Sequence, residues 1–513
     1  MSEPRPVAVI VLAAGEGTRM NSRIPKVLHS MCGRSMLGHA LAAAGELAPE
    51  RLVVVVGHRR DEVSAEAARQ APDVHVVVQD RLGGTGHAVR TVTEALGDLS
   101  GIVVVTYGDM PLLRAQTLAA LVREHAAAGN AVTVLTALVP DPSGYGRILR
   151  DGSGTLAAIV EEADATAAQR AISEINSGCY AFDGALLADA IKRVATGNAQ
   201  GQEYLTDVVG ILRGDGHLAG TVLAGDPAEI QGVNDQVQLA QARRAFNGRL
   251  LEAWMRAGVT IIDPSSTWVD VDVTLASDAM ILPGTHLEGR TSVGTGARIG
   301  PGCLLRDTSV APDAMLLYAV CESAEIGPGA TVGPFARLRP GTRIGPGAHI
   351  GTFVELKNST VGEGAKVPHL SYVGDADIGE RSNIGAATIF ANYDGMAKHH
   401  TTVGAHVFTG SDTVLVAPLT IGDGAYTAAG SVVTEDVPAG AIAVARGRQH
   451  NSPGWVERKR PGTGSAAAAA RARQAGAPGT ELPAAGAPGT GAPGTGAPAG
   501  VTDAEGHEGA RDR

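Results

Sequence analysis

Aromatic residues are scarce in this 513-residue chain: Phe, Tyr and Trp together make up 3%, against 68 glycines. That balance argues against a large aromatic core and for an architecture of small residues at tight corners. Cysteine is sparse too. Cys32, Cys179, Cys303 and Cys321 form no CxxC pair, so neither structural zinc nor a disulfide framework has support. Long apolar runs are missing: the one within residues 1–20 is broken by Gly15 and Gly17, and no cleavable signal pattern follows. No stable membrane insertion and a cytoplasmic location are therefore expected. Excess positive charge is also absent, with 42 Lys+Arg against 53 Asp+Glu and a formal net charge of -11. Nucleic-acid binding through an overall basic field is excluded, while a local basic pocket for a small phosphate is not. The length predicts two or three domains.

What is present begins with VIVLAAGEGTRMNSRIPKVL (9–28). A β-branched apolar run reads as a buried parallel strand, and the bend after it holds Gly15 and Gly17. Bare backbone there, followed by a helix start and by Arg19 and Lys26, suits a nucleoside triphosphate. The GxGxxG and GxxxxGK[ST] patterns both fail, so the dinucleotide fingerprint and the P-loop are excluded. RLVVVVG (51–57), VHVVVQ (74–79), GIVVVTYGD (101–109) and AVTVLTALV (131–139) alternate with helical stretches. They predict a Rossmann-like α/β domain with a doubly wound sheet whose ligands lie at strand carboxyl ends. Asp109 sits at such an end, where a carboxylate can hold Mg2+ against phosphate oxygens. LGGTGHA (82–88) is a second glycine-rich bend.

LAAGEGTRM…PKVL, QDRLGGTGHA, YGDMPL, GYGRI, IVEE, EINSG and GVN follow one another over residues 7–234. In that order they resemble the sugar-1-phosphate nucleotidyltransferases, which implies a mixed sheet. The closest likeness is to the first half of the bifunctional N-acetylglucosamine-1-phosphate uridyltransferase/glucosamine-1-phosphate N-acetyltransferase family. The resemblance implies that Leu12, Ala13, Ala14, Gly15, Gly17, Gln79, Gly84 and Thr85 receive UTP, the uracil end included. Arg19 and Lys26 neutralise the triphosphate, Tyr107 and Gly108 flank Asp109, and Asp109 and Asn234 hold Mg2+. Gly146, Glu161 and Asn176 seat N-acetylglucosamine-1-phosphate.

From about residue 270 a six-residue theme takes over: IGPGCL (299–304), IGPGAT (326–331), IGPGAH (344–349), VGEGAK (361–366), IGERSN (378–383), IGDGAY (421–426). An aliphatic leader, a glycine and a later small residue suit one flat side of a triangular coil, with the leader inside. Stacked coils make a parallel β-helix. Resemblance to the hexapeptide acyltransferases implies the left hand and a homotrimer. Interruptions of the repeat carry Arg339, Glu355, Lys357, His369, Tyr372, Asn383, NYDG (392–395) and Lys398. The order resembles the acetyltransferase half of the same family. His369 is then the general base for acetyl transfer from acetyl-CoA to glucosamine-1-phosphate. Arg339, Lys357 and Tyr372 hold the sugar phosphate, and Lys398 comes from a neighbouring subunit. Asn383, Asn392 and Glu355 seat the sugar and orient its amine. Ala386 offers an oxyanion N–H, and Asn392, Tyr393, Ser411, Ala429 and Arg446 line the acetyl-CoA path. Three departures from the family pattern, Pro368 before His369, NIGAA, and MAK before the lysine, touch loop geometry and remove no reacting side chain.

The expected plan is a uridyltransferase domain over 1–234 and a linker over 235–262, in which 235–258 reads as one helix packed through Leu239, Leu250, Leu251 and Trp254. A β-helix over 263–456 and a disordered Ala/Gly/Pro-rich tail over 457–513 follow. Two rivals stand beside a bifunctional enzyme feeding cell-wall precursor synthesis. In one the β-helix is only a regulatory or oligomerising module. In the other the chain is a non-enzymatic scaffold, which predicts gaps at Arg19, Lys26 or Asp109, and all three are present.

Overall fold

The computed structural model describes residues 4–476. It divides into a unit ending at Arg446 and a second beginning at Gly447.

In the first unit the sheet of the head domain grows from its apolar runs. Strand Ala8–Leu12 lies at the centre, parallel to Arg51–Val56 on one side and Ile102–Tyr107 on the other, with His75–Val78 beyond Arg51–Val56. Glu174–Asp183 runs antiparallel to Ile102–Tyr107 and Val132–Leu138, which makes the sheet mixed. Alternate side chains of the central strand enter different cores. Ile10 packs with Val89 and Val92 of helix Thr85–Leu96, and Val9 and Val11 pack with Leu37, Leu41 and Leu118 on the opposite face. The doubly wound expectation is met.

Helix Gln236–Arg256 follows, buried through Leu239 and Leu251, with Trp254 partly buried against the core of the coil. The helix stops two residues short of its expected end, and strand pairing begins at Thr260–Ile261, inside the expected linker. Gly258, with φ +94, closes the helix and turns the chain into the first side of the coil.

The coil has three parallel sheets, and as far as Thr360–Val361 each strand pairs with the third strand after it. One buried ladder reads Ile281, Ile299, Leu316, Val332, Ile350, Val367 in register. These are the leaders of successive repeats, and the glycine after a leader sits where chains stack closely. A Cβ at Gly345 would lie 2.7 Å from the Val361 carbonyl oxygen. The last rung is Ile442–Ala443, so the coil ends before the expected boundary at 456. After it, VARGRQHNSPG supplies no aliphatic leader at the repeat spacing.

In the second unit, residues 464–474 form an α-helix, which corrects the expectation of a structureless tail from 457. The run GSAAAAARARQ has high helix propensity, and the Thr463 side chain caps it by accepting from the Ala466 N–H. The rest of the expected tail, 477–513, lies outside the described residues. No helix among the described residues is long and apolar enough to cross a membrane.

Candidate active sites

The central strand ends between its two parallel neighbours, so two loops leave the same edge together. The Ala13 N–H bonds the Val55 carbonyl at 2.9 Å, and the Gly108 N–H bonds the Leu12 carbonyl at 2.9 Å. Ala13–Gly15 and Asp109 thus border one cavity of about 330 Å3 with Lys26, Gln79, Gly84, Thr85 and Tyr107. The two glycines of the bend differ in what they do. Gly17 has φ +64, and a Cβ there would lie on Lys26 Cβ, so the fold itself requires it. Gly15 has no atom within 4 Å of its missing Cβ, so no protein contact accounts for its bareness. No α-helix begins at this bend. Thr18–Met20 is a single 3-10 turn and the first α-helix starts at Met36, so the expected helix-start charge is absent and the cations remain.

Those cations converge. Lys26 Nζ donates to Asp109 Oδ2 and, at 3.2 Å, to Asn234 Oδ1; Arg19 donates to the same Asn234 oxygen at 2.9 Å. The Asp109 carbonyl accepts the Val233 N–H at 2.9 Å, which ties the distant GVN segment to the end of YGD. Asp109 and Asn234 therefore present two hard oxygens around one positive charge. Among the described residues no group of three His, Cys, Asp or Glu side chains could hold a metal ion, so a cation here must take further ligands from phosphate and water, as Mg2+ does.

Where uracil is expected, Gln79 is buried, its amide donating to the Gly84 carbonyl at 3.1 Å and lying 2.9 Å from His87 Nδ1. Gly84 caps a true helix N-terminus, and Thr85 Oγ1 accepts the Leu205 N–H at 3.1 Å. Where the sugar is expected, the Asn176 N–H bonds the Gly146 carbonyl at 2.8 Å. A Cβ on Gly146 would touch both Glu161 Oε2 and Asn176 Cβ, so these three expected residues share one spot. Burial pushes the Glu161 carboxyl above its usual range, against the bond from Thr206. Gln202 and Leu82 border the cavity as well and were not foreseen. Gln202 lies on a loop remote in sequence, within GNAQGQEYLTD, and carries no motif of its own.

In the coil, adjacent rungs bring the second set together. Arg339 bonds Glu355 at 3.0 Å, and Lys357 reaches Asp375 at 3.1 Å. Tyr372 stands in register beside Glu355. His369 is exposed at the end of strand Lys366–His369, and no hydrogen bond holds its imidazole among the described residues. NYDGMAKHHT leaves the coil as a loop between Ile389–Ala391 and Thr401–Val403, with Asp394 accepting from the Met396 and Ala397 N–H groups at 2.8 and 2.7 Å. Within the single chain the Lys398 amine lies beside its own Lys357. The adjacent Lys357 ammonium pushes the Lys398 amine below its usual range.

Three of the expected acetyl-CoA residues, Ala386, Ser411 and Ala429, form a column with His369. The His369 carbonyl accepts the Ala387 N–H at 3.1 Å, the Ala386 carbonyl the Asp412 N–H at 2.7 Å, and the Ser411 carbonyl the Gly430 N–H at 2.9 Å. His369, Ala386, Ser411 and Ala429 thus lie along one corner on successive rungs, each roughly 4.8 Å from the next. Asn383 sits on the neighbouring face, bridging Lys366 and Phe408 through its backbone. Arg446 is exposed at the end of the first unit, and Tyr393 bonds within its own loop to the Gly395 carbonyl at 2.6 Å, so neither joins the column by a direct bond.

Residues 9–174 match the MobA-like NTP transferase domain, and residues 323–358 match the bacterial transferase hexapeptide of six repeats. The chain is 61% identical over 471 residues to the bifunctional protein GlmU of Streptomyces coelicolor, covering 91% of this chain and 98% of that one. It is 60% identical over 477 residues to that of Thermobifida fusca, covering 92% and 99%. Identity is 50% over 470 residues to that of Corynebacterium efficiens, covering 91% and 97%. With this similarity running through head and coil alike, the chain belongs to the family of the bifunctional protein GlmU.

Proposed function

We propose the residue roles by which this bifunctional transferase, a nucleotidyltransferase and an acetyltransferase of UDP-N-acetylglucosamine synthesis, does its work. In the coil, His369 takes a proton as the amine of glucosamine-1-phosphate attacks the thioester of acetyl-CoA, and CoA leaves as the thiol. Arg339, Lys357, Tyr372 and Lys398 hold the sugar phosphate. Glu355, Asn383 and Asn392 orient the sugar, and the Ala386 N–H faces the thioester oxygen. The corner column gives the extended pantetheine arm a path past Ser411 and Ala429.

In the head, a phosphate oxygen of N-acetylglucosamine-1-phosphate attacks the α-phosphorus of UTP and pyrophosphate leaves. That oxygen is already anionic at neutral pH, so the chain needs no strong base; it must hold two anions that repel each other. Arg19 and Lys26 neutralise the triphosphate. Gln79, Gly84 and Thr85 take the uracil, and Gly146, Glu161 and Asn176 the sugar. Asp109 and Asn234 would hold Mg2+, whose chemistry is to screen phosphate charge. The observation that carries the head assignment is the convergence of Arg19, Lys26, Asp109 and Asn234 beside the cavity that Gln79 and Thr85 border.

A homotrimer belongs to this reading. Tyr318, Phe335 and Phe353 stack at 5.5 and 5.4 Å along the corner that leads to Leu370, and Phe353 and Leu370 are more than half exposed. Sedimentation at micromolar protein tests it. Cytoplasmic action also belongs to it, since four free thiols and two cytoplasmic co-substrates suit a reducing compartment. The product then supplies cell-wall precursors.

The test is one tube holding Mg2+, UTP, acetyl-CoA and glucosamine-1-phosphate, with CoA thiol and pyrophosphate followed together. Wild type is expected to release both, and His369→Ala to release neither, gaining pyrophosphate alone when N-acetylglucosamine-1-phosphate is added. Pyrophosphate from the pre-acetylated sugar without any CoA release would make the coil a scaffold.

A further inference from the structure

One buried carboxylate in the coil has no part in the roles above. Asp375 follows strand Tyr372–Gly374, with φ +49, at a corner where the left-handed conformation suits Asp and Asn. It is 9% exposed, and its two oxygens are fully engaged. Oδ1 accepts from Asn358 Nδ2 at 2.8 Å and from Lys357 Nζ at 3.3 Å. Oδ2 accepts from Lys357 Nζ at 3.1 Å and from Asn392 Nδ2 at 2.5 Å. A carboxylate offers about four acceptor sites, so none is left for a substrate.

The partners are the point. Lys357 lies one rung before Asp375, at the end of strand Glu355–Lys357, and Asn392 opens the extruded loop one rung after it. No direct hydrogen bond joins Lys357 to Asn392; both bond Asp375. We infer that Asp375 is a positioning residue for acetyl transfer, setting the Lys357 ammonium on the acceptor side and the Asn392 amide at the base of the loop with one buried charge. The inference rests on the acetyltransferase reading of the coil.

The electrostatics agree with the geometry. Burial alone pushes the Asp375 carboxyl up, but bonds from Asn358, Lys357 and Asn392 outweigh it and hold it below the usual carboxylate range. Lys357 is held above its ordinary value by its contact with the Lys398 amine and by Asp375, against burial. The groups facing this pair are Lys398, Arg339, Tyr372 and, across Arg339, Glu355. With the cations of Lys357 and Arg339 facing two carboxylates here, Asp375 keeps Lys357 protonated and pointed without blocking the phosphate.

Asp375→Asn keeps the size and tolerates the backbone conformation while removing the charge. It is expected to lower kcat/KM for acetyl transfer roughly 10- to 100-fold, through both a higher KM for glucosamine-1-phosphate and a lower kcat. Uridyl transfer should stay at the wild-type rate. A merely structural role would not move the pH profile. Here Lys357 loses its proton earlier, so the alkaline limb of kcat/KM should move to lower pH. Because loss of a buried carboxylate can unfold a rung, Lys357→Met, Asn392→Ala and the pair are measured with Asp375 intact. The double variant should lose roughly five-fold less than the product of the single losses. Asp375→Asn acetylating within two-fold of wild type with an unmoved limb, or a cycle multiplicative within about two-fold, overturns the inference. Absence of CoA release from wild type overturns the acetyltransferase reading and the inference with it.

Discussion

Head and coil both gather cations beside a candidate site, and they build the gathering in opposite ways. In the head, Arg19, Lys26, Asp109 and Asn234 come from loops up to 215 residues apart, brought together where a doubly wound sheet ends. In the coil, Arg339, Lys357 and Asp375 occupy successive rungs, so the spacing of the chain sets the spacing of the charges. A loop-built site depends on a few backbone contacts far from it. A rung-built site depends on its immediate neighbours. The histidines divide the same way: all the buried ones among the described residues, His29, His39, His87 and His125, lie in the head.

The largest expected effect cuts the halves apart. His369→Ala should lower acetyl transfer roughly 10²- to 10⁴-fold and leave uridyl transfer from the pre-acetylated sugar unchanged, read as CoA thiol and pyrophosphate release. Asp109→Ala should do the reverse, lowering uridyl transfer roughly 10²- to 10³-fold.

Acid sharpens the comparison next. Burial lowers the His39 pKa to about 4, and the ring bonds the Met31 carbonyl at 2.7 Å and packs on Phe246 at 4.5 Å. A histidine kept neutral when folded takes up its proton only on unfolding. Stability is therefore full above pH 6.5, the ordinary value, and falls as pH drops toward the folded pKa of about 4. A shift of that size corresponds to about 3 kcal/mol, and His29, His87 and His125, also lowered by burial, add to it. Hydrogen exchange between pH 7 and pH 4 should show the strands of the head opening while the coil stays protected. Equal loss in both would break the distinction.

A smaller effect is expected at Gly17→Ala, which forces a side chain onto Lys26 Cβ at φ +64. It should cost about 1–2 kcal/mol in thermal unfolding and raise the KM for UTP, without changing acetyl transfer. The smallest is Thr463→Ala, which removes the cap of helix Gly464–Gln474. About 1 kcal/mol of local protection should be lost there, by hydrogen exchange, with both activities intact.

The same contrast explains what could be read from the chain. The coil was legible because one rule, an aliphatic leader followed by glycine, is repeated on every side, so each repeat corroborates the next. The strands of the head were legible as β-branched runs, and the order of short blocks pointed to the site residues. The loops were harder. Thr18–Met20 read as a helix start because a glycine bend after a strand commonly opens one, yet Gly17 serves here to let Lys26 pack. Gln202 reaches the cavity through tertiary folding alone, and nothing in its local sequence marks it. Asp375, in GDADIG, looks like a turn residue, and its burial and its bonds to Lys357 and Asn392 separate it from the exposed Asp377 two places on. The helix at 464–474 was hidden by Gly/Pro-rich surroundings that masked a capped alanine run.

The most direct test of two independent sites is a mixture. Asp109→Ala and His369→Ala proteins are each given acetyl-CoA, UTP, Mg2+ and glucosamine-1-phosphate, alone and together, and pyrophosphate is followed. Neither alone should release it, because one lacks the second step and the other the first. The mixture should, after a lag in which N-acetylglucosamine-1-phosphate made by the first accumulates for the second. Pyrophosphate from His369→Ala alone, or none from the mixture while the Asp109→Ala protein still releases CoA thiol, would contradict the account.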